Sequence, residues 1–146
     1  MKRLIYISHC RESLKDEALY DLLAEAREQN RRAGITSLLV HQDRLCLQVL
    51  EGEEKALARC YSRIRRDWRH ENCQVVSHED VVDRAFPGWP LVYRSGRDLE
   101  RGQVRQLADI VECAERLARK ERDADRWAMD VYLRALLDSF SALGVQ

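Results

Sequence analysis

Tyr6 stands in the short apolar run Leu4-Ile5-Tyr6-Ile7-Ser8, and Gln48 interrupts a second one, Leu45-Cys46-Leu47-Gln48-Val49-Leu50. A carboxamide in the middle of an apolar strand loses stability unless its donor and its acceptor find partners. A phenol is one of the few side chains that can donate to it and can also give up an electron. Strand alternation puts Leu4, Tyr6 and Ser8 on one face and Cys46, Gln48 and Leu50 on one face, so each residue of this pair has a defined side of a sheet to occupy. Together they point to a redox-capable binding site for an aromatic heterocycle with amide edges, to which Asn30, Arg63 and Asp67 would contribute from helix ends and Leu22 and Ile64 from the flanks.

The elements that must position these groups are legible from periodicity. Arg3 to Ser8 reads as a strand. Ser13-Leu14-Lys15-Asp16 reads as a helix start, and Leu19, Leu22, Leu23 and Ala26 carry an amphipathic stripe to about Asn30, with Gly34 as the exit turn. Ile35 to Val40 and Leu45 to Leu50 form a hairpin around His41-Gln42-Asp43-Arg44. Glu51-Gly52-Glu53-Glu54 is expected to open a second helix with the stripe Leu57, Cys60, Tyr61, Ile64 and Trp68, ending near Arg69-His70. A strand over Cys73 to Val82, the turn Phe86-Pro87-Gly88 and a last strand over Trp89 to Tyr93 follow. The order is β-α-β-β-α-β with one strand appended: an α+β, ferredoxin-like, five-stranded mixed sheet with two helices on one face.

Beyond Gly96 the chain becomes charged with apolar residues at helical spacing, broken at Arg119-Lys120-Glu121-Arg122-Asp123. This reads as a C-terminal two-helix cap over 97–146, belonging to the same compact unit as 1–96 and burying its stripe on the open sheet face or in self-association.

The 146 residues carry 25 basic and 25 acidic side chains, so no net field favours nucleic acid or an anionic membrane surface. The longest apolar runs are strand-sized, which predicts no membrane span. Five cysteines without metal-ligand spacing, and no signal peptide, favour free thiols in a reducing cytoplasm over a disulfide framework or a zinc site. His9 and Cys10, adjacent on a strand, face opposite ways and form no dyad; His41 and His78 lack a second ligand, and no metal is assigned.

Leu4-Ile5-Tyr6-Ile7-Ser8, Asn30-Arg31-Arg32-Ala33-Gly34-Ile35-Thr36, Leu47-Gln48-Val49-Leu50-Glu51-Gly52, Arg66-Asp67-Trp68-Arg69-His70 and Arg84-Ala85-Phe86-Pro87-Gly88-Trp89 lie in the order and spacing of one known family. Over about residues 3–95 the chain resembles BLUF domains, the blue-light receptors that use flavin. The resemblance implies a flavin held non-covalently between the two helices, FAD with FMN and riboflavin as alternatives. Tyr6 would be the photochemical electron and proton donor and Gln48 the hydrogen-bond switch. Leu22, Ala26, Gln29, Asn30, Leu39, Cys46, Arg63, Ile64, Asp67, Arg69 and His70 would join Tyr6 and Gln48 in holding the cofactor, and Trp89 and Leu91 would relay the signal. It further implies a photosensory protein rather than an enzyme, signalling through a homo-oligomer or a downstream protein partner.

The chain departs from the family's pattern in places. Trp89-Pro90-Leu91 stands where Trp-x-Met is usual, Cys46 where phenylalanine is frequent, and Ser37, read as neutral, where a second glycine is common. Taken alone, Tyr6 and Gln48 are also compatible with a buried tyrosine bonded to a convenient glutamine, Asn30 with a helix C-terminal residue, and the arginines of the second helix with a solvated face. A light-independent nucleotide-binding module and a helical adaptor are the rival functional readings.

Overall fold

A computed structural model of the chain describes residues 1–10, 16–67 and 69–142. They form two compact units, 1–95 and the part from Gly96 onward. The first contains β1 (Lys2–Cys10), α1 (Asp16–Ala33), β2 (Thr36–Gln42), β3 (Leu45–Gly52), α2 (Glu54–Arg66), β4 (His70–Asp80) and β5 (Val92–Ser95). The strands make one mixed sheet in the order β4-β1-β3-β2-β5, in which β5 runs parallel to β2 and all other pairs are antiparallel. This is the expected ferredoxin-like α+β arrangement. It places β1 and β3, the strands of Tyr6 and Gln48, side by side in its interior.

The core forms where strand alternation meets helical period. Leu4 and Tyr6 from β1 and Leu50 from β3 pack with Ile35 and with Leu57 and Cys60 of α2, and Ala56, Tyr61 and Ile64 extend the contact. Burying such side chains contributes roughly 1.5–3 kcal/mol each before chain entropy is counted. Helix α1 runs past Asn30 to Ala33 and stops at Gly34, whose φ of +70° a side chain would resist. The Ile35 N–H then donates to the Asn30 carbonyl at 2.9 Å, closing the last turn. The expected serine cap at Ser13 and the Trp68 end of the second stripe lie outside the described residues.

Several boundaries differ from the sequence reading, each for a physical reason. The hairpin is tighter than expected: β2 continues to Gln42, and only Asp43 and Arg44 turn, with Asp43 at a φ of +55° that aspartate tolerates. Glu51 and Gly52 do not open α2. They finish β3, and a Cβ at Gly52 would sit 3.3 Å from the Gly34 carbonyl oxygen, so the strand end closes tightly on the α1 exit turn. Helix α2 ends at Arg66, before Arg69-His70, and His70 instead begins β4. The last strand starts at Val92 rather than Trp89, because the carbonyls of Trp89, Pro90 and Leu91 bond to Ser37, Asn30 and Arg27.

In the second unit a short 3-10 turn at Gly96–Asp98 leads to α3 (Arg101–Arg119) and α4 (Asp123–Ala142), with the break where the charged run foretells it. Helix α3 is capped by a reciprocal pair, Glu100 and Gln103. The two helices are tied by Gln103 Nε2 to Ser139 Oγ at 3.1 Å and by the ion pair of Arg116 with Asp125 at 2.9 Å. Among the described residues no helix is long and apolar enough to cross a membrane.

Candidate functional site

Tyr6 and Gln48 face each other directly across the β1–β3 ladder. Both are buried, and the Tyr6 hydroxyl donates to Gln48 Oε1. The Tyr6 ring lies 5.3 Å from the ring of Tyr61, tilted by 52°. Burial, reinforced by Cys60, Cys73, Tyr61 and Asp67 nearby, holds the Tyr6 phenol well above its ordinary range, so it stays protonated and donating at neutral pH. With its oxygen taken by Tyr6, the carboxamide has its Nε2 left to donate into the space beside it.

Asn30, at 4 % exposure, is placed by the last turns of α1. Its Nδ2 donates to the Pro90 carbonyl at 2.9 Å and to Ser37 Oγ at 3.2 Å. Carbonyl oxygens only accept, which fixes the orientation of this amide and leaves Oδ1 as its acceptor, approached only weakly by Cys60 Sγ at 3.9 Å. Ser37, a position where the family often has glycine, is fully buried, and its hydroxyl donates to the same Pro90 carbonyl at 2.7 Å and joins β2 to the segment before β5.

These groups line one cavity of about 370 Å³, a size usual for small-molecule sites. Leu22, Ala26 and Gln29 of α1 form one wall, Arg63 and Ile64 of α2 the other, and Leu39, Cys46 and Gln48 the sheet side. Asp67, Arg69 and His70 form a polar stretch of the lining. There Arg69 grips the Asp67 carboxylate through Nε at 2.8 Å and Nη2 at 2.6 Å, and its backbone N–H adds a bond at 3.0 Å. That pairing draws the Asp67 carboxyl below its usual range and raises the Arg69 guanidinium. His70 shares a 3.0 Å hydrogen bond between Nδ1 and Ser8 Oγ, and burial pushes its imidazole below the ordinary value of 6.5. Every residue that the sequence reading assigned to the cofactor thus borders this space. Of the two residues expected to relay a signal, Leu91 is buried and lines it, whereas Trp89 does not line it and is 38 % exposed; both precede β5 rather than lie in it.

Sequence reasoning missed three cavity residues of chemical interest, Cys10, His41 and Tyr93. His41, assigned to a turn, lies on β2 opposite Cys46, its Nδ1 is 3.3 Å from the Tyr93 hydroxyl, and its Nε2 is buried without a hydrogen-bond partner among the described residues. The alternation Ser37, Leu39, His41 would have revealed it had the hairpin been read two residues longer. Cys10 and Cys46 are joined in a disulfide, so the five cysteines are not all free thiols; Cys60, Cys73 and Cys113 are. Spacing along the chain does not show cross-strand neighbours, which is why this pair escaped.

A planar heterocycle fits this donor set. The walls are largely apolar, the carboxamides of Asn30 and Gln48 offer one acceptor and one donor, and the orphaned His41 Nε2 awaits a polar partner. The family model for BLUF, described as sensors of blue-light using FAD, matches residues 1–92. The chain belongs to the BLUF family. Its BLUF domain is 33 % identical over 89 residues to the photoactivated adenylate cyclase subunit beta of Euglena gracilis, covering 60 % of this chain and 10 % of that one. The ground-state structure of BlsA superposes with a TM-score of 0.69 at 25 % identity, over 93 % of this chain and 87 % of that one. Klebsiella pneumoniae BlrP1, solved with FMN and cyclic diGMP, gives a TM-score of 0.63 at 30 % identity over 69 % and 27 % of the two chains. The chain spans about a tenth of the length of the curated relatives it matches. As a BLUF domain, residues 1–92 are a photosensory module that uses flavin.

Proposed function

We propose that this chain is a blue-light receptor in which Tyr6 is the electron and proton donor and Gln48 the switch. A flavin held in the cavity would supply a strong oxidant on absorbing blue light. Asn30 Oδ1 and Gln48 Nε2 would meet its polar edge, Leu22, Ala26, Leu39 and Ile64 would sandwich and shield the ring, and Gln29, Cys46, Arg63, Asp67, Arg69 and His70 would complete the enclosure. FAD is the flavin we assign, in keeping with the family's description.

The chemistry belongs to Tyr6 and Gln48. Tyr6 would be the electron donor to that oxidant, its hydroxyl proton would pass to Gln48 Oε1 along the hydrogen bond already formed between them, and Gln48 Nε2 would give up one of its own protons on the cavity side. When charge returns, the carboxamide is left turned or tautomerised, because its oxygen and nitrogen ends are nearly isosteric and either orientation can be bonded. Gln48 would then present an acceptor to the cavity where it had presented a donor, which for a bound flavin would mean a red-shifted absorption. The buried wall keeps water from completing either hydrogen bond in their place.

The observation that carries this reading is the Tyr6–Gln48 hydrogen bond in the wall of a cavity also lined by Asn30. We assign the protein a sensory role without turnover chemistry. Its output would be a changed contact with a second copy or with a downstream protein, relayed through Leu91, whose carbonyl is tied to Arg27 of α1, and through Trp89. The C-terminal helical hairpin would carry that contact.

The deciding experiment is spectroscopic. Purified protein should be yellow, and blue light should move its flavin band to longer wavelength, with full return in darkness. Colourless protein, or a yellow protein whose band does not move, sinks the proposal.

A further inference from the structure

Of the three cysteines that line the cavity, Cys10 and Cys46 stand together. Cys10 is the last residue of β1 and Cys46 the second of β3. In the β1–β3 register Ser8 faces Cys46, so Cys10, two residues farther along the same face, is a diagonal neighbour. Their Cα atoms are 6.7 Å apart, within the reach of a disulfide, and the structure joins them. Cys46 is buried, while Cys10 is partly exposed. His70, paired with Cys10 on the other side of β1, brings a ring nitrogen within 4.8 Å of both sulfurs.

We propose that Cys10 and Cys46 are a reversible dithiol–disulfide couple, exchanging with small-molecule thiols and disulfides, whose state sets how fast the switched Gln48 returns in darkness. The position favours regulation over stapling. Eight consecutive residue pairs already hold β1 to β3, from Lys2↔Gly52 to His9↔Leu45, so the cross-link is not needed to pair the strands. Cys10 is partly exposed, which brings the bond within reach of small thiols and disulfides.

The chemistry balances with a small disulfide, RSSR, as the oxidant. The Cys10 thiol gives its proton to the neutral His70 imidazole, and the thiolate attacks one sulfur of RSSR, expelling RS⁻ and forming a mixed disulfide. That RS⁻ takes the proton of the Cys46 thiol. The Cys46 thiolate then attacks the Cys10 sulfur and expels the second RS⁻, which recovers the proton held by His70. Two protein thiols have lost two electrons and two protons, and RSSR has become two RSH. A dithiol reductant reverses the sequence.

The consequence for the switch follows from the ladder. Ser8↔Cys46 lies two residues along from Tyr6↔Gln48 on the same face, so the bond between Cys10 and Cys46 ties the strand ends beside the carboxamide that must turn. Restraining β1 against β3 there raises the barrier to rotation. The oxidised protein should recover its dark spectrum more slowly, by about threefold or more.

The recovery effect rests on the photoreceptor reading; the cysteine chemistry does not. The full chain is equilibrated with oxidised glutathione or with dithiothreitol, acid-quenched, alkylated with iodoacetamide under denaturing conditions, and weighed by mass spectrometry. Three alkylated cysteines and a linked Cys10–Cys46 peptide are expected after the oxidant, and five after the reductant. This count decides the couple even in colourless protein. In yellow protein, dark recovery after a blue flash should be slower in the oxidised sample, and Cys10→Ser should recover at one rate in both buffers. Five alkylated thiols in both buffers overturns the couple. So does reduced protein that retains one zinc ion per chain and loses it with Cys10→Ser, because the two sulfurs would then serve as metal ligands. A thiol count that switches while recovery stays constant overturns the link to Gln48.

Discussion

Two polar pairs, each with at least one fully buried member, sit three residues apart on the same two strands, and they are of opposite kinds. Tyr6↔Gln48 is neutral and borders a cavity. Arg3↔Glu51 is charged, and the Glu51 carboxylate, with no exposed surface, is saturated by protein. Arg3 reaches it at 2.9 Å, the backbone N–H groups of Ala85 and Phe86 donate to it at 2.9 and 3.2 Å, and Thr36 Oγ1 lies 3.5 Å away. Alongside, Arg84 bonds the carbonyls of Gly34 and Glu51. A buried polar cluster whose every valence is used holds structure, because removing a partner strands a charge. A neutral cluster with a donor and an acceptor left over beside a cavity is prepared to meet something else. Charge and burial alone would rank Arg3–Glu51 above the pair that borders the cavity.

Exchanging one hydroxyl or carboxamide should separate the two pairs most sharply. Tyr6→Phe and Gln48→Leu should each leave the protein yellow and folded yet abolish the red shift entirely; a normal photocycle in either variant would refute the role given to that residue. Glu51→Ala should do the reverse. It leaves Arg3 and two backbone donors without their carboxylate, at a cost of about 3–5 kcal/mol in urea unfolding, while any protein that still folds keeps its spectral shift. A loss under about 1 kcal/mol would mean that the carboxylate is dispensable.

Ser37→Ala tests the intermediate case, a neutral group that is fully used. Losing the hydroxyl bond to Pro90 should lower stability by about 1 kcal/mol and alter the dark-recovery rate through the Trp89–Leu91 segment. If both stay at the parent values, Ser37 is indeed interchangeable with glycine here. The smallest effect is with pH. Burial holds the folded-state pKa of His70 below its ordinary 6.5, so the unfolded chain binds the proton more readily. Stability should therefore be full above 6.5 and decline as pH falls through the window below it. His70→Gln should flatten that decline, and an unchanged slope in the variant would place its origin elsewhere.

Much of the site was legible because its residues sit on elements of strong period. Tyr6 and Gln48 each interrupt a clean strand pattern, and Leu22, Ala26 and Ile64 follow helical stripes. What escaped lay where the periodic signal ends. Glu51 looked like the acidic first turn of a helix because Glu53 and Glu54 follow it, yet one residue of strand extension turns it into a buried anchor. His41 was lost to an overlong turn, and Ser37 looked harmless because a hydroxyl shows no partner until the Pro90 carbonyl arrives from far along the chain.

The sequence by itself determined the order of strands and helices, the faces on which Tyr6 and Gln48 lie, and the family to which their motifs correspond. These are properties of local period, set by sterics and by the burial of apolar side chains within a few residues. Only the tertiary structure decided that Cys10 meets Cys46 and His70, that Asn30 turns its amide toward Pro90, and that Leu91 rather than Trp89 lines the cavity. Those contacts depend on the register between distant strands and on the path of the segment before β5. Register is fixed by the summed packing of the whole sheet, and no short stretch of residues encodes it.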